Sequence, residues 1–316
     1  MTFVGRGSVV LALVASLPAI AAERLDCRYS RLDRIQAVDP GPQERVLLPD
    51  NDVFRPLLAD QREPRFYADY RRVHFRFQNA DTFSEGKGQD IDVAMVSFGG
   101  EFGIWGLRQP RGCDGLQVSL FGVVFAQFNL DTHSMDLLNA DYLVGPMVTW
   151  RGGRWSARAR FYHQSSHLGD EFLLNYGSAH GVQRQNLSVE ILDLLVSVED
   201  TWWRFFGGGG LVAFSDPQSD VAGQGLFQAG LELRSPGPLA RVRNSTLTPV
   251  IGAMFSVLQP TGWSVSGSLE GGLEWSSPQS AQRIRVLIVA QRGALPFSQF
   301  WNEKTENVGL QLQFEH

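Results

Sequence analysis

Twelve stretches of alternating apolar and polar residues follow one another from Phe66 to Phe314, and no apolar run after residue 21 reaches the ~18 residues that a membrane-crossing helix needs. Strict alternation is the signature of a strand with one wet face and one apolar face. The stretches are Phe66–Phe77, Ile91–Trp105, Leu116–Asn129, Asn139–Trp150, Arg154–Ser165, Gln185–Val198, Thr201–Phe214, Gly225–Arg234, Thr246–Leu258, Trp263–Trp275, Gln282–Arg292 and Asn307–Phe314. Most have the ~9–14 residues of a tilted membrane strand with some overhang. The chain is 43% hydrophobic and has 33 glycines. In lipid every backbone group must bond within the protein, so strands that cross must close into a ring. The expected fold is therefore all-β, a transmembrane antiparallel barrel of about twelve strands, with a short N-terminal periplasmic segment.

Residues 1–21 read as a signal peptide. Arg6 supplies the positive region, Ser8 to Leu17 an apolar run too short to span a bilayer, and Ala19-Ile20-Ala21 a small-x-small cleavage site. Nothing before Cys27 resembles a lipid-attachment signal. Net charge is −5, which leaves no electrostatic footprint for nucleic acid. Export permits a disulfide between Cys27 and Cys113, though pairing cannot be deduced from sequence. Residues 22–65 form the expected periplasmic segment, broken by Pro40, Pro42, Pro49, Pro56 and Pro64, with at most one short helix around Val53 to Ala59. A loose arm is the favoured reading and a plug inside the lumen the alternative. The barrel is expected over 66–316.

Loop lengths fit a barrel with short periplasmic turns and longer outer loops. Two connections disagree: 235–245 is long for a turn, and Gln259 to Gly262 is short for an outer loop. Phe161, Tyr162, Trp202, Trp203, Phe205, Phe206, Phe297, Phe300 and Trp301 are candidates for an interfacial aromatic belt. Gly207 to Gly210 suggest a bend. The end, Val308 to His316, resembles the C-terminal strand read by the outer-membrane assembly machinery, with two residues after Phe314 where none is usual.

Chemistry concentrates at Phe161 to Glu171. On one phase Trp155, Ala157, Ala159, Phe161, His163 and Ser165 share the apolar face, whereas Arg158, Arg160 and Gln164 lie on the other. A base and a hydroxyl two residues apart, facing lipid, are what an acyl hydrolase of membrane lipids requires. A third group must orient the histidine. If the chain folds back about Gly169, Asn175 comes opposite His163; Glu171 is a second candidate. His163 and His167 stand about 13 Å apart along a strand, too far to share one ion. Asp131, Asp136 and Asp141 read as turn and lumen residues rather than calcium ligands. Arg154, Arg158 and Arg160 are expected in the lumen, either selecting anions or paired with carboxylates, the second being favoured.

His163-Gln164-Ser165 resembles the catalytic His-Gln-Ser of outer membrane phospholipase A, a twelve-stranded barrel with its site on the lipid-facing wall. The resemblance implies His163 as base, Ser165 as nucleophile and Asn175 as orienter. It also implies membrane lipid as partner, a homodimer, and calcium as a cofactor, although no matching calcium ligands stand out. Outer-membrane lipid A deacylases have a similar His-x-Ser. A wider likeness rests on Leu57-Leu58-Ala59-Asp60, Arg62-Glu63-Pro64, Asn129-Leu130-Asp131-Thr132, Leu137 to Tyr142 and Tyr162 to Phe172. These resemble the exported bacterial family catalogued as domain of unknown function 1207, which implies a barrel-like protein and no particular activity. The sequence thus leaves two functions, an acyl hydrolase and a non-catalytic channel or structural barrel.

Overall fold

A computed structural model describes residues 41–49, 53–76, 89–109, 112–177, 187–216, 221–277, 280–294, 298–300 and 304–315. The strands are β1 (Glu44–Leu47), β2 (Phe66–Arg76), β3 (Gln89–Arg108), β4 (Gly115–Asn129), β5 (Leu137–Gly152), β6 (Trp155–Leu168), β7 (Leu187–Glu199), β8 (Trp203–Ser215), β9 (Gly225–Arg234), β10 (Ala240–Val242), β11 (Ser245–Leu258), β12 (Val265–Ser277), β13 (Ser280–Ala294) and β14 (Lys304–Glu315). Twelve of them form a closed antiparallel ring, in which β14 pairs with β2 from Lys304↔Arg76 to Phe314↔Phe66. Closure leaves no strand edge to be satisfied by solvent. The other two are accessories: β1 pairs with the overhanging end of β3, and β10 pairs with β11.

The short β10 hairpin accounts for the length of the 235–245 connection, and a single helical turn, Gln259–Thr261, closes the short one. Connections at one end are short, such as 153–154 and 278–279. Those at the other, such as 169–186, are longer. Cys113, beside the β3–β4 turn, is buried and disulfide-bonded. The chain's other cysteine, Cys27, lies outside the described residues.

The barrel is apolar outside and polar inside. Leu120, Val148, Leu192, Leu194, Ile288 and Leu310 are exposed, whereas Arg71, Gln117, Asp193, Glu270, Glu274 and Gln311 are buried. That inversion of a soluble protein's layout is the pattern of an outer-membrane-type barrel. The lumenal charges are paired: Arg71 with Asp69 at 2.5 Å, Arg160 with Asp193 at 2.6 Å, and Glu274 with Arg234, Arg283 and Arg285. Arg158 and Arg160 are thus lumenal and paired, as the favoured reading had it. Arg154 is not lumenal: it sits at the β5–β6 turn, half exposed, against Asp200 at 2.9 Å and the Trp203 ring. Alternation also divides the aromatics. Phe161 and Phe205 face outward, but Tyr162 and Phe206 are buried on the lumenal side. Phe300 packs on Phe172, and Phe297 and Trp301 lie outside the described residues.

Residues 53–65 do not form a free arm, and no helix spans Val53 to Ala59. They fill the short-turn half of the lumen as a plug. Val53, Phe54, Leu57, Leu58 and Ala59 are all buried there. An irregular backbone at this depth needs lumenal partners. Arg151 donates to the Val53 carbonyl at 3.0 Å, Arg204 to that of Arg55 at 2.9 Å and Ser268 to that of Ala59 at 2.7 Å, while the Leu58 N–H donates to Glu232 at 2.6 Å. Arg158 binds Glu63 at 2.5 Å and its guanidinium covers the Phe54 ring. The proline-broken segment supplies no sheet ladder of its own, so lumenal arginines, a serine and a glutamate satisfy it instead.

Candidate active site

β6 carries the candidate residues on its outward face. Its residues alternate, with Arg158, Arg160, Tyr162, Gln164 and Ser166 buried in the lumen and Phe161, His163, Ser165 and His167 turned away from it. The outward phase predicted for His163 and Ser165 is the one found. Both lie near the long-loop end of the strand, five and three residues before its last residue, Leu168.

The β5 and β7 neighbours complete the setting. In the β6–β7 ladder His163 stands directly opposite Glu190, and Ser165 opposite Ser188. On the other side Val144 flanks His163 and Tyr142 flanks Ser165. The Nδ1 of His163 lies 2.9 Å from Oε1 of Glu190, and their side chains are 42% and 32% exposed. Tyr142, Val144, Phe161 and Leu192 make the surrounding wall apolar. His167 packs edge-on against Tyr142 with ring centroids 6.0 Å apart.

Asn175 takes a different place. It lies beyond β6 in the helical turn that starts at Asp170, and its Nδ2 donates to Asp136 at 2.9 Å in the β4–β5 loop. Hydrogen bonds from Ser134, then Asn175, hold the Asp136 carboxyl below its ordinary range. The turn about Gly169 therefore does not bring Asn175 across from His163. The chain runs on through 169–186 before β7 begins, and that length, invisible to an alternation argument, sets the register at Glu190. Glu171 is exposed on the same helical turn.

A carboxylate on Nδ1 fixes the imidazole tautomer: Nδ1 carries the proton and Nε2 keeps a lone pair. Such a pair has the geometry by which a carboxylate orients an imidazole to act as a base. Ser165, one step along the same face, is the hydroxyl within its neighbourhood. Among the described residues no hydrogen bond joins Ser165 to His163; nucleophile–base contacts in unliganded enzymes are often long and tighten on substrate. Among the described residues no cluster of three or more His, Cys, Asp or Glu is placed to hold a metal ion.

Comparison with known proteins bears on fold and family. The family described as proteins of unknown function, DUF1207, matches residues 24–316. The chain belongs to the DUF1207 family. The outer membrane phospholipase A of Escherichia coli is similar in structure, with a TM-score of 0.52 and 11% identity over 81% of this chain and 92% of that one. The outer membrane phospholipase of Salmonella typhi, solved as a dimer with bound calcium, gives a TM-score of 0.50 and 14% identity over 80% of this chain and 92% of that one. At such identity the likeness is one of fold, an outer-membrane β-barrel. No curated protein matches the sequence.

Proposed function

We propose that this DUF1207 protein sits in the outer membrane and hydrolyses acyl esters of the lipids around it. The observation that carries the reading is the His163–Glu190 pair on the outward wall beside Ser165. A carboxylate and an imidazole on an apolar face cost energy to keep there unless paired, and pairing them orients a base next to a hydroxyl. Long loops ordinarily face outside the cell, which sets this trio toward the outer leaflet, where ester carbonyls lie. The phospholipase named for the two similar barrels agrees with this reading. A channel is the weaker reading, because the plug and its ion pairs occupy the lumen.

In this mechanism Ser165 Oγ attacks the ester carbonyl carbon as its proton passes to His163 Nε2. Glu190 holds Nδ1–H and stabilises the imidazolium. The tetrahedral intermediate collapses, the alcohol leaves with the proton from His163, and the acyl group stays on Ser165. Water, deprotonated by the same imidazole, then releases the fatty acid and restores the serine.

The test is turnover of a fluorogenic phospholipid by the purified barrel in mixed micelles. Ser165→Ala should abolish it, and Glu190→Ala, which removes the acceptor for Nδ1–H, should lower kcat by about 10²–10⁴-fold. Asn175→Ala should retain activity. Equal turnover by native protein and Ser165→Ala, or none by either, removes the hydrolase reading.

A further inference from the structure

Among the described residues, the lumen beyond the plug is not completely filled. Between residues 60–62 and the long-loop end lies a cavity of about 200 Å³, walled largely by apolar side chains such as Leu143, Val189, Ile191, Val212 and Met254. An apolar cavity of ~150 Å³ already holds a molecule the size of benzene. The plug contributes Gln61 to the lining. That side chain is 3% exposed, and among the described residues neither its amide nitrogen nor its oxygen has a hydrogen-bond partner. Gln224 Oε1, also lining the cavity, is a second buried acceptor without one. The Gln61 backbone is tied down, its carbonyl accepting from the Tyr67 hydroxyl at 3.2 Å. A fixed, buried amide without partners costs roughly 1–3 kcal/mol, so its presence beside an apolar cavity asks for a function.

The charges around the cavity narrow the ligand. Asp60, Arg62, Arg160 and Asp193 line it and cancel formally. Arg160 is bound by Asp193, and Arg62 donates to Gln164 at 2.6 Å. No free cation waits for an anionic head among these four. The Gln61 amide offers one donor side and one acceptor side, the complement of a neutral head that both accepts and donates.

We propose that this cavity binds a small neutral amphiphile, with its primary amide or alcohol head on Gln61 and its short apolar chain along the β7, β8 and β11 wall. The site is separate from the outward-facing His163 and Ser165 and stands whether or not the hydrolase reading does.

The test uses full-length protein in phospholipid nanodiscs and radiolabelled octanamide in equilibrium dialysis, with empty nanodiscs subtracted. Native protein and Ser165→Ala should show the same saturable, single-site uptake. Gln61→Leu should weaken it about tenfold, and Val189→Trp, which fills the cavity, should remove it. Octanoate should bind more weakly than octanamide. Unliganded Gln61→Leu should melt no lower than native protein, since it replaces an unpaired amide with an apolar group of similar size. A Gln61 that served only the plug's packing would instead lower the melting temperature and leave octanamide affinity unchanged. That result, the absence of saturable uptake, or equal binding of octanoate overturns the proposal.

Discussion

The wall made by β4, β6 and β7 and the wall made by β9 and β11 share one alternation and differ in what lies behind them. Along β4, β6 and β7 buried and outward positions alternate without a break. Along β9 no residue is buried, and along β11 only Val250 and Gly252 are. The β4–β6–β7 wall meets paired arginines and a packed group that includes Phe121, Phe125, Leu143 and Ile191. The cavity lies between the two walls: its β7 lining, Val189 and Ile191, is buried, whereas its β9–β11 lining, Leu226, Gln228, Met254 and Ser256, stays partly accessible from inside. Alternation decides which way a side chain points. Whether anything meets it there is decided by the opposite wall and by the plug.

The largest consequence concerns buried charge. Asp193→Ala on the filled wall leaves Arg160 buried against the Phe121 and Tyr162 rings without its hydrogen-bonded carboxylate and should cost about 3–5 kcal/mol. Arg234→Ala on the open wall should cost less than about 1 kcal/mol, because Arg234 is partly exposed and Glu274 keeps Arg283 and Arg285. Urea unfolding midpoints at unchanged slope measure both. Equal losses would erase the distinction between the walls.

The outsides of the barrel should behave alike on every side, since large apolar residues are exposed all round it. Leu194→Arg on β7 and Leu269→Arg on β12, next to β11, each replace an exposed apolar residue. Each should cost about 2–4 kcal/mol in a bilayer, falling toward zero nearer an interface. The readout is unfolding from liposomes, where lipid opposes the new charge. A cost on one side alone would mean that only that side contacts lipid.

Most of the barrel was legible in the sequence because period-two alternation reports strands and their phase. The ring of twelve, the lumenal Arg158 and Arg160 and the outward His163 and Ser165 all follow from it. Register does not, because it depends on how the 169–186 connection is spent. Glu190 nevertheless left a signal: on the face shared by Ser188, Leu192, Leu194 and Val196 it is the one carboxylate, and such a group needs a partner on an adjacent strand. The plug was legible only as an alternative. Val53, Phe54, Leu57, Leu58 and Ala59 are apolar enough to be buried, but the prolines between and around them hide any period, and their partners are lumenal side chains far away in sequence.

The smallest effect tests how the plug meets the open wall. At Gly252 an added Cβ would come within 3.1 Å of Leu58 Cβ and 3.3 Å of Ala59 Cβ. At Gly100 it would meet nothing within 4 Å. Gly252→Val should therefore overpack the contact and cost about 1–3 kcal/mol, while Gly100→Val should be close to neutral. If the plug rather than the strand gives way, the loss appears first as faster protease cleavage between residues 53 and 65, with the barrel itself unfolding at its native midpoint. Conductance across a planar bilayer should rise in Gly252→Val and not in Gly100→Val, since the short-turn half of the lumen is blocked by these same residues. Unchanged cleavage and conductance in Gly252→Val would mean that β11 bends to accept the side chain, and that the open wall is soft as well as unfilled.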